Sequence, residues 1–178
     1  MKKIILSAII IMATVISANA QENRWFIGGK AGFWNGKENG TKTTVYTVAP
    51  EVGFRFTENI ALATYFEYSH FTQKVNGKNT KTDAITIAPY VRYTFFKSGI
   101  VNVFVDGAAA FGLSDLDGFE VGIKPGIAMD VTNNLSLVAN FGFIGYNNGK
   151  GVGRSTFGKG FKIDMSGYQS TIGFYLSI

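Results

Sequence analysis

TVYTVAPEVGFRF, residues 44–56, alternates large apolar side chains with small or charged ones without a break. Tyr46, Val48, Pro50, Val52, Phe54 and Phe56 fall on one parity, and Thr47, Ala49, Glu51, Gly53 and Arg55 on the other. Successive side chains of a strand point to opposite faces, so the stretch predicts one strand with an apolar face and a small, partly charged face. Residues 84–95 repeat the pattern, with Ile85, Ile87, Pro89, Val91, Tyr93 and Phe95 opposing Ala84, Thr86, Ala88, Tyr90, Arg92 and Thr94. Residues 119–131 repeat it again, with Glu120, Lys124 and Asp130 on the small-residue side. Eight such stretches run along the chain: 25–34, 44–56, 60–71, 82–95, 100–113, 119–131, 135–146 and 166–177. The expected fold is all-β, an eight-stranded antiparallel up-and-down transmembrane β-barrel.

Composition narrows what such a sheet protein can be. The chain has 178 residues, enough for one domain, and 46% are hydrophobic while only 16% are charged. It has no cysteine, which excludes a thiol nucleophile, a disulfide framework and thiolate metal sites. Lys2 and Lys3, an apolar run from Ile4 to Ile16, and Ala18-Asn19-Ala20 before Gln21 have the form of a cleaved export signal. Residues 1–20 are therefore expected to be removed, leaving residues 21–178 as the barrel domain. Without the two leader lysines the net charge falls from +5 to +3, too weak and dispersed for nucleic acid.

Alternation alone leaves open which face is inside. A soluble carrier barrel would turn the apolar face inward, yet an eight-stranded barrel is only just wide enough for its side chains. The many large apolar residues overfill that space, whereas the Gly, Ala, Ser and Thr face suits it. The apolar face is therefore expected to meet lipid. Hydrocarbon offers no hydrogen bonds, so the sheet must close on itself. Residues 57–59, 96–99 and 132–134 are tight turns, while 35–43, 72–81, 114–118 and 147–165 are longer polar connections. Short turns on the periplasmic rim and longer loops outside are the outer-membrane pattern.

Three segments repeat a hairpin: TVAPEVGFRFTENIAL (47–62), TIAPYVRYTFFKSGIV (86–101) and GIKPGIAMDVTNNLSL (122–137). The chain's three prolines, Pro50, Pro89 and Pro125, occupy matching places, where a local bulge is the expected accommodation. With the leader ending ANAQ and the last strand YQSTIGFYLSI, the chain resembles the small outer-membrane beta-barrel proteins of the Bacteroidetes, grouped with porin-like and OmpA/OmpX-like eight-stranded barrels. That resemblance covers nearly all of residues 21–178. It implies an integral outer-membrane location and insertion by the barrel assembly machinery.

A packed lumen requires its charges to balance. Lys30, Arg55, Arg92 and Lys124 are expected to pair there with Glu51, Glu67, Asp106, Glu120 and Asp130. The glycine-rich stretch GKGVGRSTFGKG, residues 149–160, lacks phosphate-loop spacing. Its Lys150, Arg154 and Lys159, with Lys162, form a basic loop that could contact lipopolysaccharide or an extracellular partner. His70, the sole histidine, falls on the lipid-facing parity beside Thr72, with Ser69 and Glu67 on the opposite one. No acid is placed to orient it, so an interfacial role beside Tyr68 is expected. Trp25 and Trp34 are expected at the rims or in packing. The favoured reading is a structural outer-membrane barrel, monomeric, with no enzyme activity, cofactor or metal. Alternatives are a narrow porin-like channel, an outer-membrane lipid-modifying enzyme and a periplasmic lipocalin-like carrier.

Overall fold

A computed structural model describes residues 24–38, 41–75, 78–113, 118–148, 159–165 and 167–178. The expected export signal, residues 1–20, lies outside them. Ten strand segments build eight antiparallel walls: β1 Trp25–Glu38, β2 Thr41–Arg55, β3 Ile60–Val75, β4 Lys78–Ser98, β5 Val101–Gly112 and β6 Phe119–Asp130 are each one wall. The seventh is divided into β7 Leu135–Asn140 and β8 Phe143–Asn148, the eighth into β9 Lys159–Asp164 and β10 Thr171–Ser177. Neighbours in sequence pair in register, and β1 closes on β10 from Phe26↔Ser177 to Ala31↔Ile172. The result is a closed up-and-down barrel.

Burial decides the facing. Val48 is 58% exposed while Glu51, three residues on, is 1% exposed. Leu62, Phe66, Ile85, Val91, Ile127 and Leu137 are exposed in the same way, whereas Ala49, Ala63, Ala88, Ala108 and Ala128 are buried. The large apolar side chains thus form an outer girdle and the small ones fill the core. Gly53 shows how tight that core is, because a Cβ there would collide with the Phe26 ring and Ala63.

The prolines are accommodated differently from the expected bulge. Pro50 pairs with Gly29 on the β1 side, but the β2–β3 ladder lapses between Val48↔Tyr68 and Glu51↔Tyr65. Pro89 pairs with Thr64, and the β4–β5 ladder lapses between Ile87↔Phe111 and Tyr90↔Ala108. Neither lapse shifts the register. A strand residue points its N–H at one neighbour only, so proline costs one rung towards the next strand. Pro125 pairs with Val105, and on its other side the seventh wall breaks, with the Phe141 N–H bonding to the Pro125 carbonyl at 2.9 Å. Gly142 supplies that break with φ +70, a conformation that side-chain-bearing residues rarely adopt.

A bulge does occur between Thr94 and Phe96. It absorbs the one extra residue between Pro89 and Ile100, compared with the spacings from Pro50 to Ile60 and from Pro125 to Leu135. The other two turns share a motif: the Thr57 hydroxyl accepts from the N–H of Asn59 and Ile60, and the Thr132 hydroxyl from Asn134 and Leu135.

The connections at the opposite rim also differ from expectation. Residues 35–43 and 72–81 are mostly strand, paired as far as Glu38↔Thr41 and Val75↔Lys78. The expected loop at 147–165 contains β9, whose Phe161 and Ile163 face outward, as does Met165 just beyond it. Across Gly142 the inward parity switches from even to odd, so that Ser136, Val138 and Asn140 give way to Phe143, Gly145 and Asn147.

An arginine at Val91, mid-girdle, should destabilise the folded barrel by about 2–4 kcal/mol. Urea-dependent unfolding in lipid vesicles measures this; an unchanged midpoint would contradict the outward facing of this strand.

Candidate functional site

Nine charged residues expected in the lumen take the inward parity of their strands, and the structure brings most of them into contact. Lys30 Nζ lies 2.8 Å from Glu51 Oε2, and the Tyr90 hydroxyl donates to Glu51 Oε1. The Lys30 ammonium also stands 5.0 Å from the Tyr90 ring centroid and 5.3 Å from that of Tyr65. Arg92 grips Asp106 with two parallel bonds, Nε to Oδ1 at 2.7 Å and Nη2 to Oδ2 at 2.8 Å. Its Nη2 also donates to the Tyr175 hydroxyl at 2.9 Å, and its guanidinium covers the Phe104 ring at 3.6 Å. Asn140 Nδ2 donates to Asp106 Oδ2 at 3.1 Å. This bidentate pair is buried, and its remaining acceptor capacity is used, which is what makes burial of two charges tolerable.

Lys124 reaches Glu120 at 3.3 Å and the Tyr65 hydroxyl at 3.2 Å. Glu67 accepts from the Ser69 hydroxyl at 3.0 Å, and Ser69 in turn meets Thr47 at 2.8 Å. Asp130 accepts from Asn102 at 2.8 Å and Ser136 at 2.6 Å, while Arg55 donates to Ser177 at 2.9 Å and lies over the Phe26 ring. The charges thus divide between direct ion pairs and hydroxyl or amide partners.

Sequence reading missed the tyrosines as hydrogen-bond partners. The signal was present, since Tyr65, Tyr90 and Tyr175 stand on the small-residue parity, where a hydroxyl meets polar neighbours. Of the four basic residues expected in the glycine-rich loop, Lys150 and Arg154 lie outside the described residues. Lys159 and Lys162 are on β9, and Lys162 is half-buried with its Nζ 5.3 Å from the Phe143 ring. Trp34 packs with the inward cluster of Val45, Phe71 and Ala84, beside Gly167. Trp25 stacks edge-on against Phe54 at 5.1 Å.

Two small spaces remain among the described residues; one, of about 50 Å³, lies on the short-turn side beside Phe26, Arg55, Arg92 and Tyr175. The other, a cavity of about 40 Å³, is lined by Glu67, Thr86, Glu120, Asn140 and Gln169 among others. Among the described residues, the Thr86 hydroxyl, Glu120 Oε2, Asn140 Oδ1 and Gln169 Nε2 have no hydrogen-bond partner. A polar cavity of this size suits ordered water rather than a solute.

His70 is oriented after all. Its Nδ1 lies 2.6 Å from Asp83 Oδ1 across the β3–β4 ladder, the Tyr68 hydroxyl donates to the same oxygen at 2.8 Å, and Nε2 stands 3.3 Å from the Thr72 hydroxyl. Asp83 lies inside the expected strand 82–95 and was missed because no cross-strand register was assigned, although Phe71 opposite Thr82 sets it across from His70. The row resembles a relay, but acyl transfer also needs donors for the developing oxyanion. The backbone here is committed to the β3–β4 ladder, paired without interruption from Ile60↔Tyr93 to Val75↔Lys78. Among the described residues, no group of His, Cys, Asp or Glu is arranged to hold a metal.

Residues 5–171 match the family described as an outer membrane protein beta-barrel domain. No curated protein matches the chain.

Truncating Asp106 to alanine should cost about 3–5 kcal/mol, because Arg92 is left buried with its charge uncompensated. Replacing both by leucine should cost much less, and equal losses in chemical unfolding would contradict a coupled pair. At the rim, hydrogen bonds from His70 and then Tyr68 hold the exposed Asp83 carboxyl below the usual range. That contact operates above the ordinary carboxylate pKa and is lost as pH falls through the lowered value. His70→Ala should therefore raise the Asp83 titration midpoint, read by carbon NMR of the carboxyl; no rise would refute the contact.

Proposed function

The chain belongs to the outer membrane protein beta-barrel family and is an integral outer-membrane protein, and from that premise we propose that it is a structural, non-conducting barrel. The observation that carries this reading is the lumen, where the Arg92–Asp106 pair with Tyr175 and Asn140 stands between two small cavities of about 40 and 50 Å³ among the described residues. Its mechanism is a division of labour between faces: the girdle gains from contact with lipid, and charges taken from water are repaid inside the lumen by partners. Residues 1–20 serve as an export signal, the barrel assembly machinery inserts the mature chain, and the monomer is the working unit. The architecture supports kinship with the small OmpA/OmpX-like barrels. Lys150 and Arg154 of the glycine-rich stretch supply positive charge for an extracellular partner.

In planar bilayers the purified protein should give no discrete conductance steps, while migrating faster on a denaturing gel before boiling than after it. Ohmic steps abolished by enlarging a lumen side chain at Ala108 would replace this reading with a narrow porin. A protein recovered wholly from the soluble fraction without a heat-dependent shift would overturn the membrane barrel itself.

A further inference from the structure

The β1–β2 and β3–β4 hairpins carry an unexpected charge pattern on their outward face. The register places Lys37 opposite Lys42, and Lys42 opposite Lys74. Lys81 lies opposite Thr72, and so diagonal to Lys74. All four are exposed. Directly opposed side chains share a face with Cβ atoms roughly 5 Å apart, and like charges in that arrangement repel. Among the described residues none of the four is in an ion pair, and the Asp83 carboxylate on the same face is taken by His70 and Tyr68. The row is therefore a concentrated positive surface that an anion would relieve.

Its height identifies the anion. Going down four residues along each strand leads from Lys37 to Phe33, from Lys42 to Tyr46 and from Lys81 to Ile85, all outward and exposed. Six residues down from Lys74 is Tyr68, also exposed. Four residues span roughly 13 Å along a strand, or about 10 Å along the normal of a tilted barrel. The ammonium groups thus stand in the headgroup layer just beyond the apolar girdle, with stems long enough to adjust. The surface points sideways, towards lipid, with acyl-binding residues directly beneath it. A protein or nucleic acid approaching from above would not meet that combination.

We infer that Lys37, Lys42, Lys74 and Lys81 form a binding site for a phosphate-bearing glycolipid of the outer leaflet, its phosphates on the lysines and its acyl chains against Phe33, Tyr46, Val48 and Ile85. This rests on the outer-membrane barrel reading and adds a specific lipid class and a place for it. The lysines act as point charges, so retention weakens as salt rises.

The test uses the full mature chain in phosphatidylcholine vesicles doped with lipid A, either bis-phosphorylated or dephosphorylated, with native mass spectrometry of the protein after mild detergent release. The wild type should retain the phosphorylated form selectively. A K37Q/K42Q/K74Q/K81Q variant should retain at least about tenfold less. K42Q/K74Q should fall between the two, and K97Q, at the opposite rim beside Glu58, should match the wild type. Heat-dependent gel mobility, read in parallel, reports insertion separately, so loss of that shift in the wild type refutes the barrel reading and the site with it. Should the quadruple variant alone fail to insert, K42Q/K74Q decides the matter. Equal retention of both lipid forms, undiminished retention by an inserted lysine variant, or displacement by millimolar inorganic phosphate as readily as by lipid would overturn the proposal.

Discussion

A closed backbone hydrogen-bond ladder is the constraint from which the other features descend. In hydrocarbon an unpaired N–H or C=O finds no water, so the first strand must find the last. The six-residue β1–β10 ladder, Phe26↔Ser177 to Ala31↔Ile172, performs that closure. Once eight walls are joined in a ring, the interior is narrow, and its occupants are dictated by volume. Alanine, glycine, serine and threonine fill about half of the inward positions, and large residues there, such as Phe26, Tyr65, Phe71, Tyr90, Phe104, Phe143 and Tyr175, interleave with them. Gly53 is one consequence, a position where the Phe26 ring already occupies the place of a side chain.

Narrowness also explains the electrostatics. Charges on the small-residue parity cannot reach water by lateral movement, since lipid lies beyond the wall, so each must find its partner within a cross-section a few side chains wide. The contacts of Lys30, Arg92 and Lys124 with tyrosines are the outcome: a phenol offers a hydroxyl to a carboxylate and an electron-rich face to a cation. A lumen so cross-linked resists collapse, which links the packing to the integrity of the barrel.

The strand walls were legible because the girdle imposes a strict apolar alternation wherever a residue must choose between lipid and lumen. Above the girdle that choice disappears, and with it the signal. Residues 35–43 and 72–81 are polar on both parities, so they resembled loops although their ladder continues. The divided walls were hidden for another reason. At Phe141–Gly142 the inward parity changes, and between β9 and β10 it changes again, so a single alternation cannot run through either wall. The lumen charges could be read from parity, but their partners could not, because Arg92 and Tyr175 are distant in sequence and meet only after closure. The His70–Asp83 contact depended on a hairpin register that polar sequence does not reveal.

The central claim is that the large apolar residues face lipid and the small and charged ones face a packed lumen. Because the chain has no cysteine, single cysteines can be placed in turn at positions 45–55 of β2, labelled with a fluorophore and challenged with a quencher carried on lipid acyl chains. The account predicts strong quenching at 46, 48, 52 and 54 and weak quenching at 45, 47, 49 and 53. The reverse alternation, or quenching that ignores parity, would contradict it.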